Sequence, residues 1–362
     1  MKKVLIVDWL DIYGGAERVI GSIEKLISFN EVHTIINIMK KEDLTKIFKN
    51  KIEIHETGLK FFNNNFRFFF FTFHYFINKV QLDKDVKLII SSSHSVAKGV
   101  RKSNQNQLHI SYFQARNFNY IWEDLDLFFG KFKYLFYPLI HILRKIDVDQ
   151  SKNPDFIIVN SFFVKDWVKK RYNRESIVIY PPVDLSKFKL VEDKEDYYVA
   201  VGRIVTVKRF DVVVDAFNEI KKKIVIIGDG KDYKKLKKRA KDNIFFTGFL
   251  DSDNVRDYVG KAKGFIQIGV EGFGIAPIEA QSSGTPVIAY NNGGVKETVI
   301  NKETGLFFES QDKISLINAI LEFEKIEFNY FKIHEHAQKF SKERFEYNFK
   351  TTIDKIIQNH HF

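Results

Sequence analysis

The chain of 362 residues contains no cysteine, which excludes disulfide frameworks and cysteine-based zinc sites. No apolar stretch is long enough to form a membrane-crossing helix. At the N-terminus, Met1-Lys2-Lys3 runs straight into Val4–Val7, an apolar run too short for a signal-peptide core and without a cleavage pattern. A cytoplasmic location is therefore expected. No zinc-finger, helix-turn-helix or RNA-binding pattern accompanies the lysines, and no nucleic-acid partner is expected. The chain also lacks repeats and has one biased segment, the phenylalanine-rich run described below.

The residues present describe an ordinary globular chain: 44% are hydrophobic and 28% charged, and the length allows two domains with separate cores. The net charge of +11 with a pI near 9.3 is read in two ways, as a solvated lysine-rich surface or as attraction to an anionic membrane surface.

The most informative stretch is Gly264–Thr298. Phe265–Ile268 reads as a strand buried on both faces, Gly272 and Gly274 as a tight turn, and Pro277 as a first-turn helical residue. Thr285–Ala289 starts another buried strand, and Gly293-Gly294 opens a second turn. Glu271 precedes the first turn and Glu279 lies one helical turn after it. Free N–H groups within Ile275–Ile278, with the helix dipole behind them, suit an anion, and the amides of Gly272, Phe273, Gly274 and Ile275 add to them. Phosphate at the centre and hydroxyls at both ends describe a sugar nucleotide. A strand–glycine–helix turn also occurs where a helix merely packs closely on a sheet.

Earlier, Lys3–Val7 reads as a first buried strand leading into Gly14, Gly15, Ala16 and Glu17, a glycine turn opening an amphipathic helix. Its spacing is not GxGxxG, which argues against a dinucleotide cofactor. Phe61–Phe76 carries Arg67 and His74 and no acidic residue. It is read either as crowded core or as a bilayer-interface helix with Arg67 towards headgroups. Ser91–Ser93 and Ser95 read as helix caps around His94, which either reaches the cleft or satisfies the loop, with the lean towards structure. Leu108–Phe113 is a strand ending at Gln114. The Asp-x-Asp triplets at 124–126, 147–149 and 251–253 lie in charged or helical surroundings, and no metal site is expected at them. Tyr180-Pro181-Pro182 stiffens the chain as a domain linker would. Beyond it, Gly202-Arg203 and Lys208 offer a fork and a point charge for a diphosphate. Gly230 is placed behind the nucleotide, and Phe249 and Leu250 beside the base.

The ordered string Glu271-Gly272-Phe273-Gly274, Glu279-Ala280, Gly284–Ala289 and Gly293-Gly294 resembles the donor-binding region of glycosyltransferase family 4, retaining enzymes of the GT-B fold. The resemblance implies an α/β chain of two Rossmann-like domains facing across a cleft. Residues 1–182 would bind acceptor, 183–340 nucleotide sugar, and 341–362 would form a helix crossing back to the first domain. It gives catalytic roles to Glu271, Arg203, Lys208 and Gln114, and donor contacts to Glu279, Gly272–Ile275, Gly230, Phe249 and Leu250. Gly14–Glu17 become the acceptor and phosphate loop. Gln114 stands where the family carries a histidine, which leaves a non-catalytic sugar-nucleotide or glycan-binding subunit as the alternative. The expected donor is GDP- or UDP-linked, with a lean towards GDP-mannose, and no cofactor or metal is required. The expected acceptor is a glycan or lipid-linked saccharide of surface-polysaccharide synthesis, met at the inner face of the membrane.

Overall fold

The computed structural model describes residues 1–48 and 52–360. The chain forms two compact units, 1–182 with 343–362, and 183–342. Each is built on one parallel sheet with helices on both faces, the α/β class expected from the sequence.

In the first unit the strands are β1 (Lys2–Val7), β2 (Glu31–Thr34), β3 (Glu53–Glu56), β4 (Val86–Ser93), β5 (Leu108–Phe113), β6 (Phe156–Val159) and β7 (Ile177–Val178). They lie in the order β3-β2-β1-β4-β5-β6-β7. In the second unit β8 (Glu195–Val201), β9 (Ile224–Ile227), β10 (Ile244–Gly248), β11 (Ala262–Gln267), β12 (Val287–Tyr290) and β13 (Gly305–Phe308) lie in the order β10-β9-β8-β11-β12-β13. Both orders reverse direction next to the first strand of the unit, so each sheet has a switch point, β1/β4 and β8/β11. At such a point the loops leaving the carboxyl ends of neighbouring strands diverge to opposite faces and leave a crevice.

The strands are apolar because both faces are covered. Val4, Leu5 and Ile6 of β1 are fully buried, as are Leu88, Ile89 and Ile90 of β4. The helix Gly15–Ile27 buries Val19, Ile20, Ile23 and Ile27 at helical spacing and turns Arg18 and Lys25 outward. The last helix, Lys342–Gln358, places Phe345, Phe349, Ile353 and Ile356 in the same core as Leu5, Leu88 and Tyr112. It is thus an integral layer of the first unit. The final two residues of the expected terminal helix segment, 361 and 362, lie outside the described residues.

The phenylalanine run divides its rings between the two expected environments. It forms a 3-10 helical stretch over Gly58–Thr72 and a short helix over Phe73–Ile77. Phe66 and Phe73 are fully buried around Trp9, with ring centroids 5.5 and 5.6 Å away. Phe61 and Phe68 are 93% and 78% exposed. Arg67 keeps 43% of its side chain exposed. Its guanidinium pairs with Asp11 and stacks over the Phe66 ring at 4.7 Å, because a carboxylate and an aromatic face together hold it against the unit.

Candidate functional site

In the second unit, four loops converge at the β8/β11 switch point. After β8, the Ile204 amide bonds to the Asp229 carbonyl and the Asp232 amide bonds to the Ile204 carbonyl, at 2.9 and 3.1 Å. Thr206 Oγ1 donates to Asp232 Oδ2 at 2.9 Å. These bonds lock the β8 and β9 loops together. Gly230 completes the fit, since a Cβ there would stand 2.4 Å from the Ile204 carbonyl oxygen. Its own N–H is held by Asp229 Oδ1 at 2.7 Å, so Gly230 shapes the loop while its amide is already engaged.

After β11, the Glu271–Gly274 turn rests on the turn that follows β12. The Gly294 amide donates to the Glu271 carbonyl at 3.0 Å, and a Cβ on Gly294 would fall 2.4 Å from the Gly272 carbonyl oxygen. The Phe273 ring is buried and meets Phe340 at 5.8 Å, so it anchors the turn. Phe273 therefore offers a ligand only its backbone. A further brace runs from Arg209 Nη1 to Gln311 Oε1 (3.1 Å) and from Gln311 Nε2 to the Ile268 carbonyl (2.6 Å).

This scaffold sets Lys208, from the β8 loop, in direct ion-pair contact with Glu271, from the β11 loop. Burial, and then the neighbouring Arg203 charge, lowers the Lys208 ammonium to about 7. The touching Glu271 carboxylate opposes that shift by favouring the charged form. Arg203 itself is exposed. The helix Ile275–Ser282 begins beside the pair, with Gly274 at its N-cap and no side chain capping its first turn. Glu279 lies half-buried on that helix. Two cations, a carboxylate and a helix N-terminus thus meet at one crevice, an arrangement suited to a diphosphate bearing hydroxylated groups. Phe249 and Leu250 part company here. Phe249 is 85% exposed, whereas Leu250 packs with Val255 and Tyr258 on the core.

In the first unit the equivalent switch point brings together the Gly14–Glu17 turn and Gln114. Gln114 Nε2 donates to Ser92 Oγ at 2.9 Å and to the Ala16 carbonyl at 3.4 Å. Its backbone carbonyl accepts from Asn160 Nδ2 at 2.5 Å, so that oxygen already has a donor. Glu17 reaches back to the Gly14 amide at 2.9 Å. The Gly14 N–H is therefore part of a helix cap, and the amides of Gly15 and Ala16 are the ones left to face an anion from this turn.

Asp8, at the end of β1, has no counterpart among the residues singled out from sequence. Its carboxylate is buried and accepts the backbone amides of His94, Ser95, Val96 and Ala97 at 2.6 to 3.0 Å. His94 Nδ1 stands 3.1 Å from Asp8 Oδ2, and the Trp9 ring packs edge-on against the imidazole at 4.4 Å. The signal available was an acidic residue ending an otherwise apolar strand. Its partners, some 86 to 89 positions away, cannot be read from spacing.

The Asp-x-Asp triplets have structural work. Asp147 is fully buried against Lys98 (2.6 Å), Trp122 Nε1 (2.8 Å) and the Tyr172 hydroxyl (2.6 Å). Asp251 caps a helix, and Asp126 pairs with Lys133 at 2.5 Å.

Residues 183–345 match the family described as glycosyl transferases group 1. The match takes in the whole of the second unit. Part of the chain is 31% identical over 198 residues to an uncharacterised glycosyltransferase of Methanocaldococcus jannaschii, covering 53% of this chain and 56% of that protein. Over 142 residues the chain is 32% identical to a GDP-mannose-dependent alpha-(1-6)-phosphatidylinositol monomannoside mannosyltransferase of Mycobacterium tuberculosis, covering 34% and 37% of the two chains. The chain spans about half the length, or less, of these curated relatives. Across 98% of its length it shares the fold of the lipopolysaccharide outer core galactosyltransferase WaaB, with 17% identity, a TM-score of 0.69 and 99% of that chain covered. The matched residues include Arg203, Lys208, Gly230, Glu271–Ile275 and Glu279, so the crevice at β8/β11 falls wholly within them.

Proposed function

We propose that the protein is a retaining glycosyltransferase. It moves a sugar from a nucleoside-diphosphate sugar to a glycan or lipid-linked acceptor of surface-polysaccharide synthesis. The observation that carries the reading is the Lys208–Glu271 contact beside the N-terminus of the Ile275–Ser282 helix, within the matched residues.

An incoming diphosphate is a stronger partner for Lys208 than a single carboxylate. It draws the ammonium off Glu271 and restores its full charge. Glu271 is then released to accept donor-sugar hydroxyls, and Glu279 holds the ribose hydroxyls. Arg203 and the Gly272–Ile275 segment, together with Lys208, stabilise the charge that grows on the leaving diphosphate. No metal is needed in this scheme. The departing phosphate takes the acceptor proton on the same face, so the anomeric configuration is retained. The acceptor role falls to the first unit, through Gly15, Ala16 and the Gln114 amide. The exposed rings of Phe61 and Phe68, with Tyr134, Leu135 and Tyr137, support a membrane-facing acceptor, because this much apolar surface is costly in water.

The second reading, a binding subunit without turnover, is favoured by one observation. Gln114 replaces an imidazole, and its amide is already engaged with Ser92 and Ala16. Incubation with GDP-mannose, UDP-glucose and related donors separates the two. Release of nucleoside diphosphate, with or without acceptor, supports the enzyme; saturable binding with no release from any donor supports the subunit.

A further inference from the structure

The outer edge of the first sheet carries a motif that the glycosyl transfer reading leaves unused. Glu31-Val32-His33 in β2 and Glu53-Ile54-His55 in β3 repeat the pattern Glu-x-His on adjacent parallel strands. The register pairs Glu31 with Glu53 and His33 with His55. Because side chains two apart on a strand share a face, all four groups stand on the same side of the sheet.

Their functional atoms converge. His33 Nε2 is 3.3 Å from Glu31 Oε1, and His55 Nε2 is 3.8 Å from Glu31 Oε2. The two imidazoles stack with centroids 4.7 Å apart, and one ligand atom from each of Glu31, His33 and His55 lies within 4.8 Å of the others. Donors on a tetrahedral zinc ion at about 2.0–2.1 Å from the metal are about 3.3 Å from one another. Side-chain rotations of about an ångström close the three groups to that spacing. Glu53 Oε1 is 3.7 Å from His55 Nε2, within reach of a fourth position that water could otherwise fill.

From this geometry we propose that Glu31, His33 and His55 form a binding site for a first-row divalent transition metal, zinc by its ligand set, that staples β3 to β2. Two imidazoles and a carboxylate are the ligands such ions favour over calcium or magnesium, which take oxygen. Lys2 competes for Glu31, with its Nζ 3.5 Å from Oε2, but it also holds Asp83 at 2.5 Å and Asp85 at 3.7 Å. It therefore keeps counter-charges when the metal takes Glu31. The staple acts at an edge of the sheet, where β3 pairs on one side alone.

The test uses the full chain without a histidine tag, stripped with chelator and titrated calorimetrically with zinc chloride, and separately with cobalt chloride while visible absorption is followed. One equivalent of zinc is expected to bind. Cobalt is expected to give the intense d–d bands of a low-coordinate nitrogen and oxygen site, and zinc to raise the Tm. His55→Asn and Glu31→Gln, at partly exposed positions, are each expected to weaken binding at least about tenfold and to remove the Tm rise, with circular dichroism unchanged. Absence of stoichiometric binding to the wild-type chain overturns the proposal. Undiminished binding in both variants overturns it equally, because the ion is then held elsewhere.

Discussion

In the proposed transfer, Lys208 carries the central role. It is expected that Lys208→Ala and Glu279→Ala each lower kcat/KM by about 10²–10³-fold, the usual scale for losing one charge-stabilising group, while urea midpoints stay near wild type. Initial rates with the best donor from the panel check this, and wild-type rates in either variant remove the assigned roles. A second residue makes the fold sensitive to acid. His109 is fully buried, with Nε2 2.8 Å from Ser91 Oγ, and burial lowers its pKa from 6.5 to about 3. Between those values the unfolded chain binds a proton that the folded chain refuses. Stability is therefore intact above about 6.5 and falls as pH drops towards about 3, by at most about 1.4 kcal/mol per pH unit from this group. Unfolding free energies measured from pH 7 to 4 should lose that much slope in His109→Asn. An unchanged slope would assign the acid sensitivity to other groups. At this scale the sequence was legible wherever chemistry lay in a short string. Lys208 and Glu271 were each visible by motif, although their contact was not. Asp8 was silent because its meaning depends on amides contributed by another strand's loop.

Among the elements, the turn after β4 and the helix Lys133–Gln150 are joined by the buried Lys98–Asp147 pair, with the Ser95 carbonyl also taking the ammonium at 2.7 Å. Removing one partner leaves the other charged and dry. Lys98→Met is expected to cost about 3–5 kcal/mol, and the double variant Lys98→Met/Asp147→Leu to recover a large part of it. Denaturant titration of both chains decides; equal losses would mean that shape, not charge, is at stake. Strand and helix alternation, the glycine turns and the amphipathic last helix were all readable, because period and turn chemistry are local properties. The aromatic run was not resolvable in the same way. Its rings repeat with no clean period, and which of them enter the core depends on Trp9 and Phe118, contributed by distant segments.

For the whole molecule, an excess of eleven positive charges and a band of exposed rings belong together in one expectation. The protein should sediment with vesicles containing phosphatidylglycerol and much less with neutral ones, and 0.5 M salt should weaken the association by screening. Replacing Phe61, Phe68, Tyr134 and Leu135 with serine should abolish sedimentation while leaving transfer to a water-soluble acceptor intact. Sedimentation of the quadruple variant at the wild-type level would assign the contact to scattered lysines. The two Rossmann-like sheets were legible from strand spacing and the paired prolines. The membrane expectation was not decidable from composition, since a basic solvated surface has the same residue counts.

The Lys342–Gln358 helix has a consequence for biosynthesis. A ribosome releases residues 183–342 before it delivers Phe345, Phe349, Ile353 and Ile356, which the earlier sheet needs to close its core. The half of the protein made first is therefore completed last. Until then its nascent sheet has an open apolar face.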